Sequence, residues 1–297
     1  MCYILLDTDS GISVASSSPP WLLAHLGPVL AVAAGFAHTC AVRADGQLVC
    51  FGRSEYNQCD VPASLGPVLA VAVGEHHTCA LRTDGQLVCF GRNGFNQCDV
   101  PASLGPVLAV AAGFAHTCAV RTDGQLVCFG DNFTCNQCDV PASLGPVLAV
   151  ADGYFHTCAV RTDGQLVCFG NNACNQCDTP ASLGPVLAVA AGDHHTCAVQ
   201  TDGQLVCFGD NDYNQCDVPA DLGPVLAVAT GRAHTCAVRA DGQLVCFGRS
   251  ECNQCDVPAD LGPVMAVAAG YAHTCAGRAD GQLVCFGNNE WNQCDCT

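Results

Sequence analysis

The sequence predicts an all-β protein, a seven-bladed β-propeller, and three observations carry that expectation. A unit of about 39 residues recurs seven times, and each unit holds three or four short apolar segments separated by turn residues. The last unit also stops short of a piece that the N-terminal region can replace. Gly-Pro-Val opens the units at Gly27, Gly66, Gly105, Gly145, Gly184, Gly223 and Gly262, so every spacing is 39 residues except one of 40. The extra residue lies between Gly130 and Cys138. Residues 1–19 read as an irregular leader and 20–297 as one propeller domain.

In the first unit, Val29 to Ala34 is β-branched and small, bounded by Gly-Pro and Gly, which suits a buried strand. His38 to Arg43 follows as a second strand. Asp45-Gly46 marks a tight hairpin, and Gln47 to Gly52 is the third strand. No stretch has helical periodicity. The last unit ends at Asp295-Cys296-Thr297 without the Val-Pro-Ala-Ser-Leu of its neighbours, and Leu22 to Leu26 precede the first Gly-Pro in that very place. Residues 20–26 are therefore expected to close the ring, which removes exposed sheet edges; an open solenoid is the alternative.

Half of the residues are apolar and 12% are charged, which fits a large buried core. The net charge of -17 is mostly repetition, since 14 of the 27 acids are one Asp-Gly aspartate and one Asn-Gln-Cys-Asp aspartate per unit. All ten basic residues are arginines, too few to displace counterions from a phosphate backbone, so nucleic acid is not an expected partner. No run reaches the roughly 18 apolar residues of a membrane span. The first twenty residues lack a basic start and a long apolar run, so an intracellular site is favoured; oxidised cysteines would instead mean secretion.

Four motifs, Val-Ala-Ala-Gly-x-x-His-Thr, Ala-Val-Arg-x-Asp-Gly, Leu-Val-Cys-Phe-Gly and Asn-Gln-Cys-Asp-Val-Pro, recur over residues 27–297. Through them the chain resembles the regulator of chromosome condensation repeat family, and its short unit is similar to that of the bacterial β-lactamase-inhibitor propeller. The family's usual Trp-Gly is Phe-Gly here and its Gly-Gln-Leu-Gly is Asn-Gln-Cys-Asp. The resemblance implies a seven-bladed fold and a non-enzymatic, protein-binding role. Its exchange factors for small GTPases use a long insertion that no unit has, its chromatin regulator a basic tail, and its ligases a catalytic domain; Arg43 is the first basic residue. Fold alone does not transfer function.

Three cysteines recur per unit. With Ala44-Asp45-Gly46 as the loop, Cys40 faces Cys50 across the hairpin, and likewise Cys79–Cys89, Cys118–Cys128, Cys158–Cys168, Cys197–Cys207, Cys236–Cys246 and Cys275–Cys285. Such pairs are disulfides in an oxidising compartment or small packed apolar groups in a reducing one. Cys-Asn-Gln-Cys at Cys135/Cys138, Cys174/Cys177 and Cys252/Cys255 has half a zinc spacing. Its first cysteine replaces Tyr56, Phe95, Tyr213 or Trp291 of other units, so neither a metal nor a cofactor is expected. The histidines of Gly-x-x-His (His38, His77, His116, His156, His195, His234, His273) occur seven times in one context. They are expected to close their own loop by a hydrogen bond and not to act in catalysis.

Function is expected where the units differ: the pair inside Gly-x-x-His and the segment between Phe-Gly and Asn-Gln. Alternating strand directions bring both to one face. Ten aromatic residues lie there (Phe36, Tyr56, Phe95, Phe114, Phe133, Tyr154, Phe155, Tyr213, Tyr271 and Trp291), and aromatics and arginine dominate interface hot spots. Arg53, Arg92, Arg232 and Arg249 fall on one side of the ring and Asp131, Asp152, Asp193, Asp210 and Asp212 on the other, a charge split that would orient a partner. The expected function is a monomeric protein-interaction scaffold binding through this face. The alternatives are a regulatory propeller of an exchange-factor or ubiquitin-ligase assembly and an inhibitor of a secreted enzyme. Relaxed drift on exposed loops would give the same diversity.

Overall fold

A computed structural model describes residues 26–133 and 135–296. Each of the seven units forms its own three-stranded antiparallel sheet, with strands in chain order from the inside out. In the first blade they are Val29–Ala34, His38–Arg43 and Leu48–Gly52, and in the seventh Val264–Ala269, His273–Arg278 and Leu283–Gly287. First strands of neighbouring blades adjoin one another around a central axis. The segment from Asn-Gln to the next Gly-Pro makes no strand among the described residues, so each blade has three strands and no fourth. No helix among the described residues is long and apolar enough to cross a membrane.

The core lies between blades. Side chains alternate along a strand, so Ala31 and Ala33 join Val71, Val73 and Ala80 of the second blade, whereas Val32 and Ala34 meet Ala268 and Cys275 of the seventh. Alanine is frequent here because seven inner strands converge on the axis. The convergence is tightest at the glycine that follows each inner strand; at Gly35 a Cβ would sit 2.3 Å from the carbonyl oxygen of Gly74. Only glycine fits that spot, and each of the other six units places a glycine against its neighbour in the same way.

The hairpin forms as the turn chemistry requires. Gly46 has φ of 80°, and the Asp45 carboxylate accepts the Gln47 amide at 3.0 Å. Cys40 pairs with Cys50 in the register, and all seven hairpin pairs are joined as disulfides with S–S distances of 2.07–2.23 Å.

Two polar contacts recur at every junction. At the Asp-Gly end, the amide of each unit's first valine donates to the turn glycine of the preceding blade: Val68 to Gly46 at 2.8 Å, and Val29 to Gly281 at 2.9 Å across the closure. Nearer the opposite end, His38 Nε2 lies 3.1 Å from Thr78 Oγ1 of the next blade, and Thr78 donates its hydroxyl to the Gln58 carbonyl at 2.8 Å. The threonine proton is committed to that carbonyl, so the imidazole donates and is the neutral Nε2–H tautomer. The relay runs round the ring and closes through His273, Thr39 and the Gln293 carbonyl. The histidines thus staple the next blade, contrary to the expectation that they close their own loop. The backbone already does that, with the Gly35 amide on the His38 carbonyl at 2.9 Å, leaving the side chain free to cross. The ring-closing role expected of residues 20–26 lies outside the described residues except at Leu26.

The inner strand has one irregularity. Val29 pairs with Arg43 and Ala31 with Val42, so Leu30 is a bulged, unpaired residue. It is 64% exposed, and its counterparts Leu69, Leu108, Leu148, Leu187, Leu226 and Met265 are 47–62% exposed. These seven form an apolar collar around the axis at the Asp-Gly end.

The relay makes a stability prediction. Thr78→Val keeps the shape but strands the His38 N–H and the Gln58 carbonyl, both buried, and is expected to lower stability by roughly 2–4 kcal/mol. A urea midpoint equal to that of the parent protein would contradict the relay.

Candidate functional site

Both variable segments emerge at the end opposite the Asp-Gly turns and form two concentric rings. The inner ring is the first variable residue of each Gly-x-x-His: Phe36, Glu75, Phe114, Tyr154, Asp193, Arg232 and Tyr271. Together with the glycines beneath, these residues line an axial vestibule of about 90 Å³. Phe36 packs on Tyr271 at 4.4 Å between ring centroids, and Phe114 packs on Tyr154 at 4.3 Å. Phe155 closes on Tyr154 edge-on at 4.5 Å. Arg232 lies 4.5 Å above the Tyr271 ring and 3.6 Å from the Asp193 carboxylate. The chemistry changes from apolar to acidic to basic around one opening.

Burial perturbs the acids of this mouth. Glu75 is pushed up to about 7 by desolvation, which the arginines Arg92 and Arg53 only partly offset. Asp193 is raised to about 6 by desolvation, against the opposing pull of Arg232. Desolvation, reinforced by the Glu75 and Asp193 charges, lifts Tyr154 to about 12.

The outer ring is built from stacks between blades. Arg53 lies over Trp291 at 4.7 Å, Arg92 over Tyr56 at 5.3 Å and Arg249 over Tyr213 at 5.0 Å. In each stack the residue after Phe-Gly covers the aromatic before Asn-Gln of the preceding unit. Where that aromatic is Cys135, the covering residue is Asn171, whose amide donates to the sulfur at 3.2 Å. Above Cys174 and Cys252 the matching positions are Asp210 and Asn288. Phe95 shares Arg92 at 5.8 Å, and Phe133 is 94% exposed.

The structure therefore gathers Phe36, Phe114, Tyr154, Phe155, Arg232 and Tyr271 at the vestibule. It places Arg53, Tyr56, Arg92, Phe95, Tyr213, Arg249 and Trp291 in the outer ring and leaves Phe133 apart. Glu75 was missed by sequence reasoning, although its place in Gly-x-x-His matches the other six. The expected charge split is largely lost. Asp131 and Asp152 are buried, Asp193 faces Arg232, and Arg53 and Arg249 pair with Glu55 and Glu251 of their own loops.

Asp152 stands where other units have Ala, Val or Thr. Its carboxylate points at the preceding blade, 3.7 Å from His116 Nε2. The atoms of His116, Cys118 and Asp152 lie within 4.8 Å of one another, but the Cys118 sulfur is bonded to Cys128, leaving two donors. The second cysteine of each Cys-Asn-Gln-Cys occurs in all seven units and does the same thing everywhere. Cys138 donates to the Asp131 carbonyl and Cys59 to the Arg53 carbonyl, both at 3.4 Å. Burial pushes these thiols up, Cys59 and Cys255 to about 11 and Cys98, Cys138, Cys177, Cys216 and Cys294 to about 12.

The family model of the regulator of chromosome condensation (RCC1) repeat matches residues 29–58, 68–97, 107–137, 147–176, 186–215, 225–254 and 265–293. The chain belongs to this family. Among solved structures, this RCC1-repeat propeller is similar to the ectodomain of the receptor kinase CR4 from Physcomitrella patens, with TM-score 0.75 and 24% identity over 89% of this chain and 74% of that one. The CRINKLY WD40 ectodomain of the Arabidopsis thaliana receptor kinase ACR4 gives TM-score 0.72 and 22% identity over 88% and 98%. Prp20p from Saccharomyces cerevisiae gives 0.71 and 18% over 90% and 82%. At these identities the likeness is one of fold. No curated protein sequence matches the chain significantly.

Two outcomes follow. In the native protein at pH 8, the seven carbonyl-bound thiols are expected to resist alkylation by iodoacetamide, whose carbon is attacked by the thiolate with loss of iodide, until urea is added. Rapid native labelling at Cys59 or Cys138 would refute their burial. The second outcome concerns acid. Burial lowers His38, His77, His156 and His234 to about 3 and His195 and His273 to about 4. The unfolded chain binds these protons below about 6.5 and the folded chain does not, so their contribution to stability falls as pH drops from 6.5 towards 3. Glu75 and Asp193, raised in the fold, act oppositely between about 7 and 4. The six histidines, with His76 also lowered by burial to about 4, outweigh the two acids, so the urea midpoint should fall steeply below pH 6; a profile flat to pH 4 would rule this out.

Proposed function

We propose that this chain is a non-enzymatic protein-binding propeller that engages its partner through the loop face centred on the axial vestibule. One observation carries the reading. Phe36, Glu75, Phe114, Tyr154, Asp193, Arg232 and Tyr271 occupy equivalent positions of seven near-identical units, yet they present aromatic, acidic and basic groups to one shared opening. Repetition supplies the scaffold, and unlike residues on it supply recognition. The stacked arginines and aromatics of the outer ring are held by neighbouring blades, so they would meet a partner with little loss of side-chain entropy. Related propellers support the class of function. The yeast Prp20p work concerns binding to Gsp1p and histones, and the same protein has been crystallised with Kap60.

A more specific reading, inhibition of a secreted enzyme, is favoured by the seven hairpin disulfides, which suit an oxidising compartment. A GTPase exchange role has no comparable support, because every loop on this face stays within one residue of its counterparts.

The test is affinity capture with the full chain and a Phe114→Ser/Tyr154→Ala/Tyr271→Ala variant, after both show the same urea midpoint. Partners retained by the parent protein and lost by the variant are the expected result. Equal capture by both would remove the vestibule from the binding site.

A further inference from the structure

The Asp-Gly end carries nothing that the loop-face reading uses, yet it is organised as an interface. At its centre is the collar of Leu30 and its six counterparts, all about half exposed or more. An apolar surface of seven leucine-sized side chains around one axis reaches the size of the largest patches found on monomers, and such patches mark interaction sites. Around it lie the hairpin turns, one strand further out. Six turns hold an arginine and an aspartate in contact, from Arg82–Asp84 at 2.8 Å to Arg239–Asp241 at 3.3 Å. The fifth has Gln200 in place of arginine, leaving Asp202 without a basic neighbour in its own turn. An apolar centre within a polar rim is the anatomy of a protein–protein contact.

We infer that two copies of this chain associate face to face through their Asp-Gly ends, collar against collar. Three features select a second copy as the occupant. The rim holds six arginines against the seven turn aspartates and the exposed Asp221 and Asp260, a small share of a chain whose net charge is -17, so this is the end at which two copies repel least. The two signs alternate around the rim, so a two-fold axis across the ring can set the arginines of one copy opposite the aspartates of the other. The near-identity of the units extends this complementarity to the six turns that carry an arginine and repeats it at successive rotations about the axis. A standard stable interface takes roughly 800 Å² per partner, so the rim must join the collar in the contact. This association replaces the monomer expected from the sequence and leaves the loop faces pointing outward, so the dimer presents two vestibules.

The experiment is sedimentation velocity on the full chain from about 1 to about 100 µM, which brackets association free energies of roughly -8 to -5 kcal/mol. The parent protein is expected to shift reversibly from monomer to dimer. Leu108→Glu/Leu187→Glu, at exposed positions, should weaken the dimer by roughly tenfold or more with an unchanged urea midpoint. The loop-face triple variant should dimerise as the parent does, which separates this proposal from the partner-binding one. A parent protein that stays monomeric throughout overturns the proposal. So does one that dimerises only after residues 1–25 are removed, which would make that segment the occupant of the collar. Loss of association in the loop-face variant with retention in the Leu→Glu variant overturns it equally.

Discussion

A propeller built from near-identical blades must solve one problem seven times: how to hold a sheet to its neighbour when no strand crosses the gap. Here the solution is a buried relay, with His38 donating to Thr78 and Thr78 donating to the Gln58 carbonyl, repeated to closure. Its members lie where water cannot replace a lost partner, so each bond counts for more than a surface one. The relay also ties both variable segments to the scaffold. The histidine ends one loop, and the glutamine carbonyl belongs to the turn that ends the other. That turn is held by Asn57 in the left-handed region, with φ of 62°, and by the buried Gln58 side chain accepting the Tyr56 amide. Diverse residues can therefore change without loosening the ring.

The stacks on the loop face extend the same logic to residues that do vary. Three arginines sit over aromatics of the preceding blade, and an asparagine sits over Cys135. Residues that look independent along the chain are thus paired across junctions. The Cys-Asn-Gln-Cys motif resolves in the same way into two unrelated positions, one varying with its neighbour and one invariant on a backbone carbonyl.

Much of this was legible in the sequence because it is local. The Asp45-Gly46 turn sets the hairpin register, so the facing of Cys40 and Cys50 followed from counting, and Val29–Ala34 was bounded by residues that stop a strand. What escaped depends on a neighbouring unit or on departure from regular pairing. The partner of His38 is a threonine 40 residues away, and nothing in Gly-x-x-His-Thr shows that the side chain leaves its own blade. Arg53 meets Trp291 only because the ring closes. Leu30 sits inside an apolar run that reads as buried; the bulge that exposes it is a property of the pairing. Asp152 reads as a surface charge because it adjoins a variable loop, whereas strand alternation turns it into the junction.

Among the described residues each disulfide joins residues ten apart within one hairpin, and none links two blades. A chain with 26 cysteines could in principle tangle into a vast number of mispaired forms. A ten-residue separation, pre-aligned by its own turn, makes the correct partner the nearest one and the loop closure short. Every unit thus arrives at oxidation with its answer already in hand, independently of how many units precede or follow it. A gene that copies such a unit copies a self-contained oxidative module, and lengthening the array adds no new pairing ambiguity.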